Sequence, residues 1–494
     1  MIKRADLYAC LTIIILAASL YGKILTFDFI GDDWPVIAQR ESFLSDSKNI
    51  RTLFLLPGSI EGSFNKYAYS SGEMSYRPLK TLSFFLDYKI WGLNPFGFKL
   101  SNLLFHILNT LLIYRLCLFF FSRRAVSLIT ALAFLLHPVN VETVAMVTYR
   151  HDLMALFFYL AVFFVFISAL KTGGKSIFIK SVLCCMLYIL AVLSKESALT
   201  FLPLALFYLY ISLKDKARCL SSKKSIFLIM GLVFITIVFG FLRFYCNLPA
   251  AVNHKVLEAG IYSEFLTVIK TFALYVKWLI VPLGIKFYLI EQFEPVKSFN
   301  IDVFLSFVIV IPLLAIALRA IFKNSFTLKF ACGWILINLM PLCLIRFLPS
   351  LIAARYMYMM SVGFVILLGA LLTHMLSSSG RYKIASILIA AVLGFYFIKS
   401  SSDIKYWQNN LMLWSKMKRD FPANDYIQIQ YHINYGGVLL WRGDANKALE
   451  QYLKAYFINP IDTAALQGVA DSFAALGNKR EADKFYDKIR MLDK

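Results

Sequence analysis

Residues 152–170, DLMALFFYLAVFFVFISAL, decide the fold class, because no charged side chain follows the initial aspartate for eighteen residues. A run of this length and character spans a bilayer when it is helical. Similar runs recur along the chain: 59% of its 494 residues are hydrophobic, 16% are charged, and the mean hydropathy is +0.67. A soluble domain is about half apolar and about a quarter charged. The composition therefore excludes a soluble enzyme and a disordered chain, and it predicts a polytopic membrane protein.

The apolar runs predict about eleven spans in an all-α membrane domain at residues 1–402. The first span follows the basic segment 1–4 and continues to Phe29 as an uncleaved signal anchor, and residues 30–98 form a polar external loop. The other spans are expected at about 99–121, 125–148, 152–170, 177–194, 197–213, 225–245, 302–322, 327–347, 357–376 and 383–399.

Loop charges orient these spans. The membrane domain has 38 Lys/Arg against 18 Asp/Glu, and the surplus lies in short loops such as 123–124, 214–224 and 323–329. This bias marks cytoplasmic loops rather than a nucleic-acid surface. Two cytoplasmic loops at 214–224 and 323–329 require an even number of crossings between them, so we expect residues 263–283 to be re-entrant or interfacial. The C-terminal domain then lies outside the cytoplasm. Because the chain has no Asn-x-Ser/Thr acceptor, a bacterial inner membrane is favoured over a secretory lumen.

The C-terminal domain, residues 403–494, contains a repeat. Three pairs of identical residues are separated by 34 positions: Gly443 and Gly477, Ala448 and Ala482, and Tyr452 and Tyr486. This is the tetratricopeptide period, in which Gly closes the first helix of a unit and a small Ala lets two helices approach. The spacing predicts an α-solenoid of tetratricopeptide repeats.

Paired acidic residues follow the first span, at Asp32 and Asp33. Two carboxylates can hold a divalent metal, or one can act as a general base while the other is held by a partner. The alternative interpretation is structural: an Asp that caps a short helix in a polar loop.

A second polar cluster falls at the outer ends of the third and fourth spans. Charged groups in an apolar chain cost free energy and are functional by default. The alternative is a set of salt bridges between helix ends. The members of this predicted active-site cluster are His137, Glu142, Arg150 and Asp152.

Cations are expected on the same external side. Arg355 begins a span with no other charge for over twenty residues, Arg77 lies in the external loop, and Lys195-Glu196 interrupts an apolar stretch. Cations at the headgroup level are natural phosphate ligands. His106 and Asn109, which share a face of the second span, are instead predicted to make a helix–helix contact.

The order of these motifs resembles a known family, the transmembrane-and-tetratricopeptide-repeat O-mannosyltransferases and their bacterial relatives, of the GT-C class. The order is Asp-Asp after the first span, Tyr-Arg-Pro-Leu, His-Pro-x3-Glu, Arg-x-Asp-Leu, Lys-Glu, Ala-x-Arg-Tyr-x-Tyr, and then the repeats. Asp32 and Asp33 match the acidic motif of the family's first loop. His137 and Glu142 match its His-Pro turn, and Arg355 matches its late Arg-Tyr motif.

The resemblance implies transfer of a sugar from a polyprenyl-phosphate carrier to a hydroxyl acceptor, with the repeats binding an acceptor protein. The residues fit this chemistry. Asp32 or Asp33 would supply the base that a hydroxyl needs, and the anionic leaving phosphate requires cations rather than a general acid. Arg355, Lys195, Arg150 and Arg77 are the candidates, with Glu196 beside the donor phosphate. A divalent metal at Asp32 and Asp33 is compatible with this chemistry but is not required.

Two other classes fit the composition. A transporter or flippase for a lipid-linked sugar predicts inverted repeats and polar residues at the bilayer midplane. The sequence shows neither, since its charges cluster at the outer ends of spans. A non-catalytic membrane scaffold with protein-binding repeats leaves Asp32, Asp33 and Arg355 unexplained.

Overall fold

The computed structural model describes residues 4–54, 76–172, 175–214, 222–245, 254–287, 294–323, 325–345, 352–376 and 382–492. Every regular element in these ranges is a helix, which confirms the predicted all-α class. The chain divides into two units, Met1–Ile404 and Lys405–Lys494. The predicted domains, 1–402 and 403–494, place this division two residues earlier.

The first unit is built from long helices, which are numbered here in chain order. They are α1 (Arg4–Tyr21), α2 (Pro78–Trp91), α3 (Pro95–Phe120), α4 (Arg124–Leu136), α5 (Arg150–Leu170), α6 (Lys175–Ser194), α7 (Phe201–Lys214), α8 (Ser222–Tyr245), α9 (His254–Ile280), α10 (Ile301–Lys323), α11 (Phe326–Leu339), α12 (Met357–Leu376) and α13 (Tyr382–Ile404).

Short helices connect the long ones and carry several of the charged residues discussed below. The short α-helices are Asp33–Val36, Glu41–Ser45 and Val141–Ala145. The 3-10 turns are Gly22–Thr26, Ala38–Arg40, Ser47–Phe54, Pro138–Asn140, Val147–Tyr149, Glu196–Thr200, Met340–Cys343 and Ala354–Tyr356.

Ten helical segments of the described residues are long and apolar enough to cross a membrane. Arg124–Leu136 and Pro138–Ala145, which meet at a bend of 48°, form an eleventh when taken together. The predicted number of about eleven spans is therefore confirmed. Lys255–Ile280 is among the ten, and the helix α8, Ser222–Tyr245, is 24 residues long.

Residues 263–283 lie largely in α9, a 27-residue helix with a kink at Gly260. The Lys270 Nζ lies 3.4 Å from Oδ2 of Asp302 in α10. This helix is long and apolar enough to cross a membrane, and the expected re-entrant or interfacial placement of residues 263–283 stays a prediction.

Polar side chains join helices inside the first unit. His106 and Asn109 of α3 are fully buried, and both contact the hydroxyl of Tyr358 in α12. The predicted helix–helix contact of His106 and Asn109 is confirmed.

The second unit consists of five helices: α14 (Asn410–Asp420), α15 (Asp425–Trp441), α16 (Ala445–Ile458), α17 (Thr463–Ala475) and α18 (Lys479–Leu492). An Asn or Asp side chain caps the N-terminus of α14, α15, α16 and α17 by accepting a backbone N–H. The turns that follow α15 and α17 contain Gly443 and Gly477, at φ of +83° and +81°, which only glycine adopts at low cost.

The second unit repeats its packing as well as its turns. Ala448 of α16 and Ala482 of α18 are both buried where the paired helices meet. The Tyr452 ring fills the space beside Gly436 of α15 and Gly468 of α17. Two helix hairpins with a 34-residue spacing are thus present, and their assignment to the tetratricopeptide class stays a prediction.

Candidate active site

Asp33 is an anchor for the backbone around it. Its side chain is fully buried, and its Oδ1 accepts the N–H of Thr148 at 2.8 Å. Its Oδ2 accepts the N–H groups of Ile30 at 3.4 Å and Val147 at 3.3 Å. Both carboxylate oxygens are therefore engaged, and they tie the loop after α1 to the turn before α5.

Asp32 is exposed, in contrast to Asp33. It occupies the N-cap position of the helix Asp33–Val36, but its side chain caps no backbone N–H, so the structural alternative considered for the pair does not describe it. Although the side chain reaches the surface, desolvation by the surrounding protein raises the pKa of Asp32. The charges of Arg355 and Lys80 oppose this shift, and the charge of Asp33 adds to it. An exposed carboxylate of raised pKa is suited to accept a proton.

Arg355, whose charge acts on Asp32, lies in the turn Ala354–Tyr356. Its side chain is 9% exposed, and its Nη1 donates to Oε1 of Glu142 at 2.8 Å. The guanidinium lies over the Tyr149 ring, 4.2 Å from the centroid, and 5.1 Å from the centroid of Tyr356. A carboxylate and two aromatic rings therefore fix this cation.

A second cation shares the Tyr356 ring. The Lys195 Nζ lies 5.3 Å from the ring centroid and donates to Oδ1 of Asp152 at 2.5 Å. The other carboxylate oxygen of Asp152 lies 3.0 Å from Nε2 of His151. Two buried cations thus stand next to one tyrosine, each with its own carboxylate partner.

Arg77 is connected to the same network of charged residues through His151. Its guanidinium donates to both carboxylate oxygens of Glu196, at 2.8 and 3.1 Å, and contacts Nε2 of His151 at 3.0 Å. Burial lowers the pKa of Arg77, but the charge and the hydrogen bonds of Glu196 outweigh burial and raise it. This bidentate pair occupies much of the guanidinium's binding capacity.

Two of the predicted site residues lie outside this network. The Arg150 guanidinium is fully buried and donates to Asn102, Ser83 and the carbonyl of Phe98, with Asp87 Oδ2 at 2.6 Å. These bonds hold α2, α3 and α5 together, so the geometry gives Arg150 a structural role.

His137 is likewise committed to packing. It is fully buried, its Nε2 donates to the carbonyl of Leu279 at 3.0 Å, and its Nδ1 accepts the N–H of Val139 at 3.3 Å. The Tyr396 ring lies 4.5 Å away, centroid to centroid. His137 therefore links the bent helix pair to α9 and has no nitrogen directed at Asp32.

Three residues of the cluster were not predicted as site residues: Tyr149, Tyr356 and Lys80. Tyr149 and Tyr356 directly neighbour Arg150 and Arg355 in the sequence. An arginine next to an aromatic residue was the sequence pattern that could have identified them. Lys80 is 3% exposed. Burial lowers its pKa to about 7, with a further lowering from Arg40, while Asp32 and Asp33 act in the opposite direction. Lys80 lies in the first turn of α2, and nothing in the sequence indicated that it would lie near Asp32 and Asp33.

The residues present do not fit a divalent metal held by the aspartate pair. Both oxygens of Asp33 already accept backbone N–H groups, so only Asp32 retains a carboxylate for an ion. Within the ranges that the structure describes, no group of three or more His, Cys, Asp or Glu could hold a metal. No step below is routed through a metal.

Similarity to proteins of known class extends along nearly the whole chain. It is 24% identical to protein O-mannosyl-transferase TMTC3 of Mus musculus over 98% of its own length and 55% of that protein. It is 27% identical to protein O-mannosyl-transferase F38B6.6 of Caenorhabditis elegans over 79% of its own length and 55% of that protein. The chain spans about half the length of these curated relatives. No family model matches it.

Among solved structures, ArnT from Cupriavidus metallidurans, determined bound to undecaprenyl phosphate, aligns with 94% of this chain and 77% of its own. The identity is 13% and the TM-score is 0.42, an overall similarity too low to define a shared fold.

The fold and the sequence relatives together define the class: a helical, multi-pass membrane protein. The resemblance predicted from the motifs is confirmed: the chain is similar in sequence to TMTC-type protein O-mannosyltransferases.

Proposed function

We propose that this protein is a GT-C membrane glycosyltransferase that moves a hexose, with mannose as the first candidate, from a polyprenyl-phosphate carrier to a hydroxyl group. The acceptor is a Ser or Thr side chain of an extracytoplasmic protein. The observation that carries the proposal is the exposed Asp32 carboxylate beside the buried, carboxylate-paired Arg355. Relatives named as protein O-mannosyl-transferases support the same class.

The proposed chemistry assigns one role to each charge. Asp32 accepts the proton of the acceptor hydroxyl while that oxygen bonds to the anomeric carbon of the sugar. The bond from this carbon to the phosphate oxygen breaks, and the polyprenyl phosphate leaves with one more negative charge. Arg355 and Lys195, both next to the Tyr356 ring, stabilise the growing charge. The leaving phosphate is already anionic, so no general acid is needed.

The surrounding residues keep these groups in place. Glu142 and Asp152 compensate Arg355 and Lys195, which lowers the cost of burying the cations before substrate binds. The Arg77–Glu196 pair fixes the outer end of the cluster. Asp33 holds the loop that carries Asp32. Substitution of these residues should disturb geometry more than proton transfer.

Residues 403–494 are proposed to bind the acceptor chain on the extracytoplasmic side of a bacterial inner membrane. Two consecutive helix hairpins support this role, because stacked hairpins form extended surfaces that bind peptides.

Peptide mass spectrometry of extracytoplasmic proteins tests the proposal. Cells that produce the wild type, Asp32→Asn or Asp33→Asn are compared at matched membrane levels. Asp28→Asn, an exposed acid of the same loop, is the control. We expect a hexose-sized mass with the wild type and Asp28→Asn, its loss with Asp32→Asn, and a partial loss with Asp33→Asn.

Either of two results would contradict the proposal. Hexose transfer that survives Asp32→Asn would remove Asp32 as the base. Absence of any hexose in all strains, with folded protein present, would favour a lipid-linked sugar transporter, to be tested by translocation in proteoliposomes, or a scaffold.

A further inference from the structure

A buried polar junction lies beneath the Arg355–Tyr356 turn. The Tyr358 hydroxyl lies 2.8 Å from Nδ1 of His106 and 3.1 Å from Nδ2 of Asn109. All three side chains are fully buried. Tyr358 is the second residue of α12 and follows Arg355, one of the proposed phosphate-binding cations, by three positions in the chain.

The hydrogen-bond directions in the junction can be assigned. His106 Nε2 lies 3.3 Å from the carbonyl oxygen of Leu135, which only accepts, so Nε2 carries the proton. Nδ1 then accepts from the Tyr358 hydroxyl. Asn109 Nδ2 donates both to that hydroxyl and to the carbonyl of Leu153 at 2.9 Å. The phenol therefore donates one bond and accepts one.

The junction connects four elements at fixed points. His106 and Asn109 belong to α3, the Leu135 carbonyl lies near the end of α4, and the Leu153 carbonyl lies in the first turn of α5. Leu153 directly follows Asp152, the partner of Lys195. The Tyr358 hydroxyl is thus linked to Arg355 by the short chain segment between them. It is linked to Lys195 through Asn109, the Leu153 carbonyl and the adjacent Asp152.

Apolar packing alone would not define this arrangement so closely. An aromatic ring at the start of a helix can slide along an apolar neighbour at little cost, because dispersion contacts have no preferred direction. Two buried hydrogen bonds of opposite sense define both the depth and the rotation of the ring, and leaving a partner unsatisfied is costly.

We propose that Tyr358 is a positioning residue that sets the turn Ala354–Tyr356, so that Arg355 and Lys195 meet the departing phosphate. This inference rests on the proposed function. Tyr358 touches no substrate. It acts through the two residues that separate it from Arg355 and through the α5 backbone at Asp152.

The test combines kinetics with hydrogen exchange on purified full-length protein in nanodiscs. The variants are Tyr358→Phe, His106→Gln, the double variant of both, and Tyr188→Phe as the control. Tyr188 is also fully buried, and its hydroxyl lies 2.9 Å from Oγ1 of Thr236 in α8 and 3.5 Å from the carbonyl oxygen of Leu199. Polyprenyl-phosphate-linked hexose and a Ser/Thr peptide serve as substrates.

Tyr358→Phe should lower kcat about tenfold and leave the donor KM within about twofold, because the phosphate gains charge mainly in the transition state. The double variant should be no worse than the single ones, since all remove the same junction. Amides of residues 353–358 should exchange faster in these variants, and Tyr188→Phe should match the wild type in both measurements.

Unchanged exchange at residues 353–358 in Tyr358→Phe would overturn the inference, whatever the rates. Additive losses of kcat in the double variant, or an equal loss of kcat in Tyr188→Phe, would show that the effect reflects general stability. Either result would also overturn the inference. If the wild type transfers no sugar but Tyr358→Phe loosens residues 353–358, the proposed function fails while the positioning of Arg355 by Tyr358 stands.

Discussion

Two adjacent aspartates illustrate how the backbone assigns roles to identical side chains. Asp33 is the first residue of a short helix and points inward to three backbone N–H groups. Asp32, one residue earlier, remains exposed beside Arg355 and Lys80. The assignment of the base to Asp32 follows from this difference.

The pH dependence of transfer should report Asp32. Its pKa is raised, and a base acts only when deprotonated, so activity should fall as pH drops through a midpoint above that of an ordinary aspartate. Lys80→Gln removes a charge that lowers this pKa, so the acidic limb should move to higher pH. The pH profiles of kcat/KM would show the shift.

Lys89→Gln on the same helix, α2, is the control, because Lys89 is exposed and is not among the charges that shift Asp32. An acidic limb that stays in place or moves to lower pH in Lys80→Gln would contradict the assignment of the base.

Short elements carry Arg355 and the residues that hold it. Arg355 lies in the turn Ala354–Tyr356, its carboxylate partner lies in the helix Val141–Ala145, and the ring beneath it belongs to the turn Val147–Tyr149. The long helices bring these three segments together, and the segments orient the charges.

Glu142→Gln should destabilise the protein by about 3 kcal/mol, because removal of one partner leaves a buried charge uncompensated. The double variant Glu142→Gln with Arg355→Met should recover part of this loss but show no transfer. Thermal unfolding in detergent and the hexose transfer assay measure the two effects. A double variant less stable than Glu142→Gln would show that the pair is not the source of the cost.

In the second unit, packing depends on glycines beside Tyr452. A Cβ at position 468 would lie 2.1 Å from the Tyr452 ring, whereas one at position 437 would lie 3.4 Å from its hydroxyl. Gly468→Ala should therefore cost about 1–3 kcal/mol through overpacking. Gly437→Ala should be neutral or stabilising, since Ala favours a helix. Equal unfolding midpoints for the two variants would contradict this account.

At the scale of the whole molecule, the topology depends on whether α9 crosses the membrane or is re-entrant or interfacial. If α9 spans the membrane, cysteines placed at Glu258 and Leu283 in a cysteine-free background should react with impermeant reagents from opposite sides. Both positions are exposed to the surroundings. Labelling of both cysteines from the same side would support the re-entrant or interfacial interpretation of residues 263–283.

The sequence by itself determined the class, the number of spans and the helix–helix contact of His106 and Asn109. These follow from local properties, namely the length of apolar runs and the cost of a polar side chain among apolar ones. The order of motifs also determined the family resemblance, since order along a chain needs no coordinates.

Only the tertiary structure distinguished the environments of Asp32 and Asp33. It showed that Arg150 and His137 make structural contacts. It also placed Tyr149, Tyr356 and Lys80 at the candidate site. The physical reason is common to all of these. Whether a charged or polar group is available depends on which distant donors, acceptors and rings surround it, and that set is defined by packing rather than by neighbours in the chain.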